Sequence, residues 1–222
     1  MTTRAACPFL FAALLLAGCA GTPPPPDWKM NAVSQLEHFQ ARWLEGDGKS
    51  AELALAKARK DVSASGRLDL LARLELAACG TRAASLDFTD CPAYRPLAAD
   101  AADAERRYAQ FLGGQWRDLQ AGTAPPQYAG LVTAKDDAAA NRAAAEIKEP
   151  LPRLIAAALL FRQGRAEPAT LALAVETASE RGWRRPLLAW LEVQRLRATA
   201  AGDLTAAQLL QRRIEMVQNK GM

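Results

Sequence analysis

Residues 151–181 read LPRLIAAALLFRQGRAEPATLALAVETASER. Leucine and alanine dominate the stretch, alternating Val, Ile and Thr are absent, and only Gly164 and Pro168 break it. Ala, Leu, Arg, Gln and Glu favour helix, whereas a half-buried strand would alternate β-branched and polar residues. The stretch therefore predicts two helices, residues 151–163 and 168–181, joined by a turn short enough to make them antiparallel. The same composition continues into 186–201 and, past Gly202, into 204–218. The fold class that follows is all-α, an array or bundle of antiparallel helical hairpins.

Upstream the signals are of the same kind. Val33, Leu36, Phe39 and Trp43 recur at three- and four-residue steps and mark one face of a helix over 30–44. Gly46-Asp47-Gly48 ends it, and Ser50 stands where an N-cap belongs before a helix over 51–64. A third helix is expected from Leu68 to Cys79, a loop from Gly80 to Pro96, and a fourth helix from Leu97 to Leu112 that stops at Gly113-Gly114. Pro125-Pro126 makes 115–133 an irregular connection with a short helix, and a polar, Ala-rich segment over 134–148 precedes Pro150. Residues 30–222 thus read as one helical domain with a possible sub-boundary at 113–133. Gly46, Gly164 and Gly202 are each followed five residues later by alanine, at Ala51, Ala169 and Ala207. This spacing, most of all around Leu160, Gly164, Ala169 and Leu173, resembles the tetratricopeptide hairpin, in which a glycine turn and a small residue bring two helices together.

The amino terminus carries an address. Arg4, the apolar run Phe9–Ala17 and the small residues before Cys19 are the parts of a secretory signal peptide, and the run is too short for a bilayer span of about 20 residues. Leu16-Ala17-Gly18-Cys19 resembles the lipobox of bacterial lipoproteins. The resemblance implies cleavage after residue 18, acylation of Cys19 and, because Ala20 rather than Asp follows, residence on the periplasmic face of the outer membrane. Stable anchoring needs two or more acyl chains, which this modification would supply. Thr22-Pro23-Pro24-Pro25-Pro26 then reads as an extended polyproline tether within residues 19–29.

Given export, the cysteines sort themselves. Cys7 leaves with the signal, Cys19 is lipidated, and Cys79 and Cys91 are left as an even pair in an oxidising compartment, where a disulfide is expected. Such a bridge is worth about 3 kcal/mol on chain-entropy estimates. Residues 19–150 carry 16 Lys/Arg against 18 Asp/Glu, and 151–222 carry 11 against 6, so the carboxy-terminal third is the basic part. For an exported chain that balance points to a solvated arginine-rich face or an acidic envelope partner rather than nucleic acid.

No catalytic constellation stands out. Gly48-Lys49-Ser50 resembles the end of a phosphate-binding loop, but Trp43 occupies the first glycine position and a helix, not a strand, precedes it, so no nucleotide is expected. His38 is the single histidine, expected to be partly buried beside Leu36 and Phe39, and no metal or cofactor is expected. The carboxylate pairs available to a glycan-cleaving enzyme are Asp100 with Asp103, Asp136 with Asp137, and Glu146 with Glu149, each in a polar, Ala-rich setting. Trp190 lies among leucines and is expected in the core. Trp183, Arg184 and Arg185 form the residue mix that anchors protein interfaces. The expectation is a non-enzymatic, membrane-anchored binding or scaffolding module for another envelope protein or peptide. A cell-wall-modifying enzyme and a carrier of a lipid or small apolar ligand are the alternatives.

Overall fold

The computed structural model describes residues 24–116, 119 and 124–219. Leu16-Ala17-Gly18-Cys19 and Pro23 lie outside the described residues. Every regular element described is helical, which establishes the all-α hairpin array. The helices are α1 (Asp27–Glu45), α2 (Gly48–Ser63), α3 (Leu68–Ala83), α4 (Asp103–Leu112), α5 (Ala129–Val132), α6 (Asp137–Glu146), α7 (Pro150–Arg162), α8 (Pro168–Glu180), α9 (Arg184–Ala200) and α10 (Leu204–Gln218).

Local chemistry sets the boundaries. Gly46 closes α1 at φ +95°, a left-handed conformation that costs a side chain energy, and the Asp47 N–H then reaches back to the Arg42 carbonyl. Asp47, Asp136 and Asp203 cap α2, α6 and α10 by accepting the N–H of the residue three positions on. The cap of α2 is therefore Asp47 rather than Ser50, whose backbone N–H is the donor. Pro150 and Pro168 open α7 and α8 in the first turn, where a missing N–H costs nothing. Pro26 is extended, with φ −57° and ψ 147°, and α1 begins immediately after it, so the expected tether ends at residue 26 rather than 29.

Two expectations fail for physical reasons. α3 runs four residues beyond Cys79 through Gly80, because that glycine lies under another helix instead of ending its own. α4 starts at Asp103, preceded by a single 3-10 turn at Arg95–Leu97. The loop between α3 and α4 is tight. Leu86 and Cys91 have positive φ, and the Cα atoms of Cys79 and Cys91 are 5.5 Å apart, a separation suited to a disulfide.

From α1 to α4 and from α5 to α10 consecutive helices pack against one another, and two further contacts join the amino- and carboxy-terminal halves: α3 against α7, and α1 against α9. Trp190, fully buried, marks the joint. Its indole N–H donates to the Ala84 carbonyl at 3.2 Å, and the Phe161 ring meets it edge-on at 5.8 Å.

Candidate functional site

A groove of about 610 Å³ lies where α3, α4 and α7 meet the turn at residues 124–128. α3 supplies Leu76, Ala77 and Thr81, α7 supplies Leu151, Pro152 and Ile155, and the turn supplies Pro125, Pro126 and Tyr128. This size matches pockets that enclose a small ligand or a few residues of a peptide.

The floor is built from stacked rings. Tyr108 and Tyr128 lie parallel at 6.4 Å, Tyr128 stacks on Phe111 at 4.3 Å, and Phe111 stacks on Trp116 at 5.4 Å. Tyr108 reaches its place only because residue 80 is glycine. A Cβ there would sit 2.6 Å from the Tyr108 hydroxyl oxygen and 3.3 Å from Ile155 Cδ1. Burial pushes the Tyr108 phenol up to about 12 and raises that of Tyr128 well above its ordinary value, so both are neutral in the groove.

Two charged side chains of α4 flank this floor. Glu105 is 5% exposed, and its Oε1 accepts from the Arg73 Nε at 2.6 Å. Its Oε2 is closed off from solvent and has no hydrogen-bond partner among the described residues. The Arg107 Nε is in the same condition, and no ion pair neutralises Arg107 among the described residues. Buried polar atoms are rarely left unpaired, so an orphaned acceptor and an orphaned donor in one groove wall call for an explanation. Neither residue shows in the sequence as anything but part of a charged helix. The nearest signal is the run Glu105-Arg106-Arg107-Tyr108, which mixes charge with a ring.

The residues singled out by sequence lie elsewhere and are engaged. Arg184 donates through Nε and Nη2 to the Val217 carbonyl at 3.3 and 3.1 Å. Arg185 donates to the Trp43 carbonyl at 2.8 Å and lies 4.0 Å from that ring's centroid. Trp183 is half-buried, with Arg181 over its ring at 5.6 Å. Arg184 and Arg185 thus bind distant parts of the chain, and all three residues remain partly exposed. His38 is exposed, not partly buried. Asp136 caps α6 and Asp137 pairs with Arg165 at 2.6 Å, both beside a second, more polar cleft of about 650 Å³. Asp103 pairs with Arg106, and Asp100, Glu146 and Glu149 are exposed. Of the small residues expected behind the three glycine turns, Ala51 is buried, Ala207 half-buried and Ala169 exposed, with Thr170 buried in its stead.

Among the described residues no helix is long and apolar enough to cross a membrane, and no cluster of three metal-ligating side chains occurs. The class defined by the geometry is an all-helical hairpin array that carries a tyrosine-floored groove. Comparison with protein families, curated proteins and solved structures finds no match.

Proposed function

We propose that this chain is a non-enzymatic binding module, anchored through an acylated Cys19 to the outer membrane on its periplasmic side, that holds a segment of an envelope partner in the α3–α4–α7 groove. The observation that carries the reading is the groove itself, an apolar, tyrosine-lined cleft of about 610 Å³ with Arg73, Glu105 and Arg107 among its lining residues. Ligand sites combine a mostly apolar lining with a few polar groups. The cysteine pair at disulfide distance fits an oxidising compartment, and the lipobox resemblance supplies the anchor. Anchoring confines the search for membrane partners to one surface and raises their effective concentration.

Photo-crosslinking in cells tests this. A crosslinking residue at exposed Ala104 or Gln127, in the groove, is expected to capture a discrete partner, and one at Ala172, on α8, is not. Equal capture from all three positions, or capture from Ala172 alone, would refute the groove as the binding surface. Mass spectrometry of the purified protein checks the anchor and the bridge. An unacylated Cys19, or reactive thiols at Cys79 and Cys91, would remove that part of the proposal.

A further inference from the structure

We infer that α2 presents a lysine face with which the protein rests against the anionic bilayer that holds its anchor. This rests on the anchoring proposed above and concerns a surface apart from the groove, to whose lining α2 contributes no residue. At 100° per residue, Lys49, Leu53, Ala56, Lys57 and Lys60 fall within a stripe about 100° wide, opposite the side that α2 buries in the core. All five are exposed, and Leu53, 60% exposed, has a lysine four positions before it and another four after it. Among the described residues none of these lysines forms an ion pair. The carboxylates of the helix lie on the flanks of the stripe, Glu52 bound to Arg82 at 2.6 Å and Asp61 half-buried. Lys57 and Lys60 therefore repel one another along the helix, a cost that an anionic surface removes. In the basic carboxy-terminal third, by contrast, Arg184 and Arg185 hold carbonyls and Arg195 pairs with Glu192.

A bilayer, rather than an acidic protein, follows from the reach of the tether. Asp27 is eight positions after Cys19, so the start of α1 stays within about 29 Å of the lipid even with the tether fully extended. A domain of this length is roughly 40 Å across, so the side opposite the start of α1 cannot reach the surface. α1 and α2 pack on one another across the turn at Gly46, which puts Lys57 and Lys60 at the same end as that start. The chemistry agrees. Lysine is a hydrated point charge on a flexible stem and suits headgroup phosphates that have no fixed geometry, whereas planar recognition of a protein carboxylate favours arginine. A leucine among lysines enters the boundary between headgroups and acyl chains without needing a pocket.

The test uses the full mature chain, residues 19–222, carrying Cys19→Ala so that no acyl chain contributes to binding. It is floated with mixed phosphatidylethanolamine and phosphatidylglycerol vesicles, or with vesicles of phosphatidylcholine alone. The protein is expected to float with the anionic vesicles only, and less as salt is raised. Lys49→Gln, Lys57→Gln and Lys60→Gln together should weaken partition about a hundredfold, roughly fivefold for each lysine. Leu53→Asp should weaken it about tenfold. Removing three exposed charges elsewhere, Arg142→Gln, Lys148→Gln and Arg212→Gln, should leave partition nearly unchanged, every variant keeping the wild-type helical signal. Equal losses in the two triple variants would reduce binding to net charge and overturn the face. So would a failure of the Cys19→Ala chain to float with anionic vesicles, or capture of a discrete protein by a photo-crosslinking residue at position 53 in cells. None of these outcomes touches the anchor, which is read from the mass of the chain bearing Cys19, or the groove, which is read from crosslinks at Ala104 and Gln127.

Discussion

The chain contains three tyrosines, and burial is the leading cause of a raised phenol in each of them. Tyr94 is raised, Tyr108 stands at about 12, and Tyr128 is further disfavoured by its tyrosine neighbour. The sign of the linkage follows. The folded state prefers the neutral phenol more than the unfolded chain does, so this contribution is whole below the ordinary value of about 10. It is lost as pH climbs from about 10 through the folded values. Phenolate absorbance is therefore expected to lack the Tyr108 and Tyr128 contributions near pH 10 and to gain them only together with loss of the helical signal. Two phenols ionising near pH 10 in a fully helical protein would show that the ring stack under the groove does not exist as described.

Asn141 argues at the scale of elements, because one buried side chain ties α6 to the turn between α7 and α8. Its amide donates to the Asp137 and Arg165 carbonyls at 2.7 and 2.9 Å. Its oxygen accepts from the Glu167 N–H at 3.0 Å and the Thr170 hydroxyl at 2.5 Å. All four hydrogen-bonding positions of an asparagine are filled. Asn141→Leu would leave several backbone groups and a buried hydroxyl unpaired and is expected to cost about 3 kcal/mol in urea unfolding. Removing the exposed cap in Asp203→Ala should cost only about 1 kcal/mol. Equal costs would mean that the joint carries no more than a cap. Sequence made the carboxy-terminal hairpins legible because Gly164, Pro168 and Gly202 punctuate them with strong local preferences. It misplaced the end of α3 because Gly80 looks like a breaker, and only the Tyr108 hydroxyl, 28 residues on, gives that glycine its reason. It expected Ala169 in the packed position, but Thr170 is the buried one, drawn in by the Asn141 oxygen. Glu105 and Arg107 escaped notice for the same reason: a charge on a helix signals water until its neighbours are known.

At the scale of the molecule the array does not behave as an open solenoid. In a solenoid each repeat touches only its neighbours, so stability is lost from the ends inward. Here α1 packs on α9, and Arg185 fastens the contact across 142 residues of sequence with its Nε on the Trp43 carbonyl. The Trp43 ring meets two guanidiniums, Arg185 at 4.0 Å and Arg82 at 5.2 Å, so the clamp also reaches α3. A charge-assisted hydrogen bond and a partly desolvated cation–π contact together make Arg185→Met cost about 2 kcal/mol. The sharper expectation concerns where that loss is felt. Hydrogen exchange of the variant should show amides of α1, encoded at the far end of the chain, losing protection in step with those of α9. Loss confined to α9 and α10, with α1 as protected as in wild type, would mean that the halves fold independently and that the groove between α3, α4 and α7 is shaped without help from the closure. Loss in both ties the groove's geometry to a contact that no nearest-neighbour description of hairpins contains.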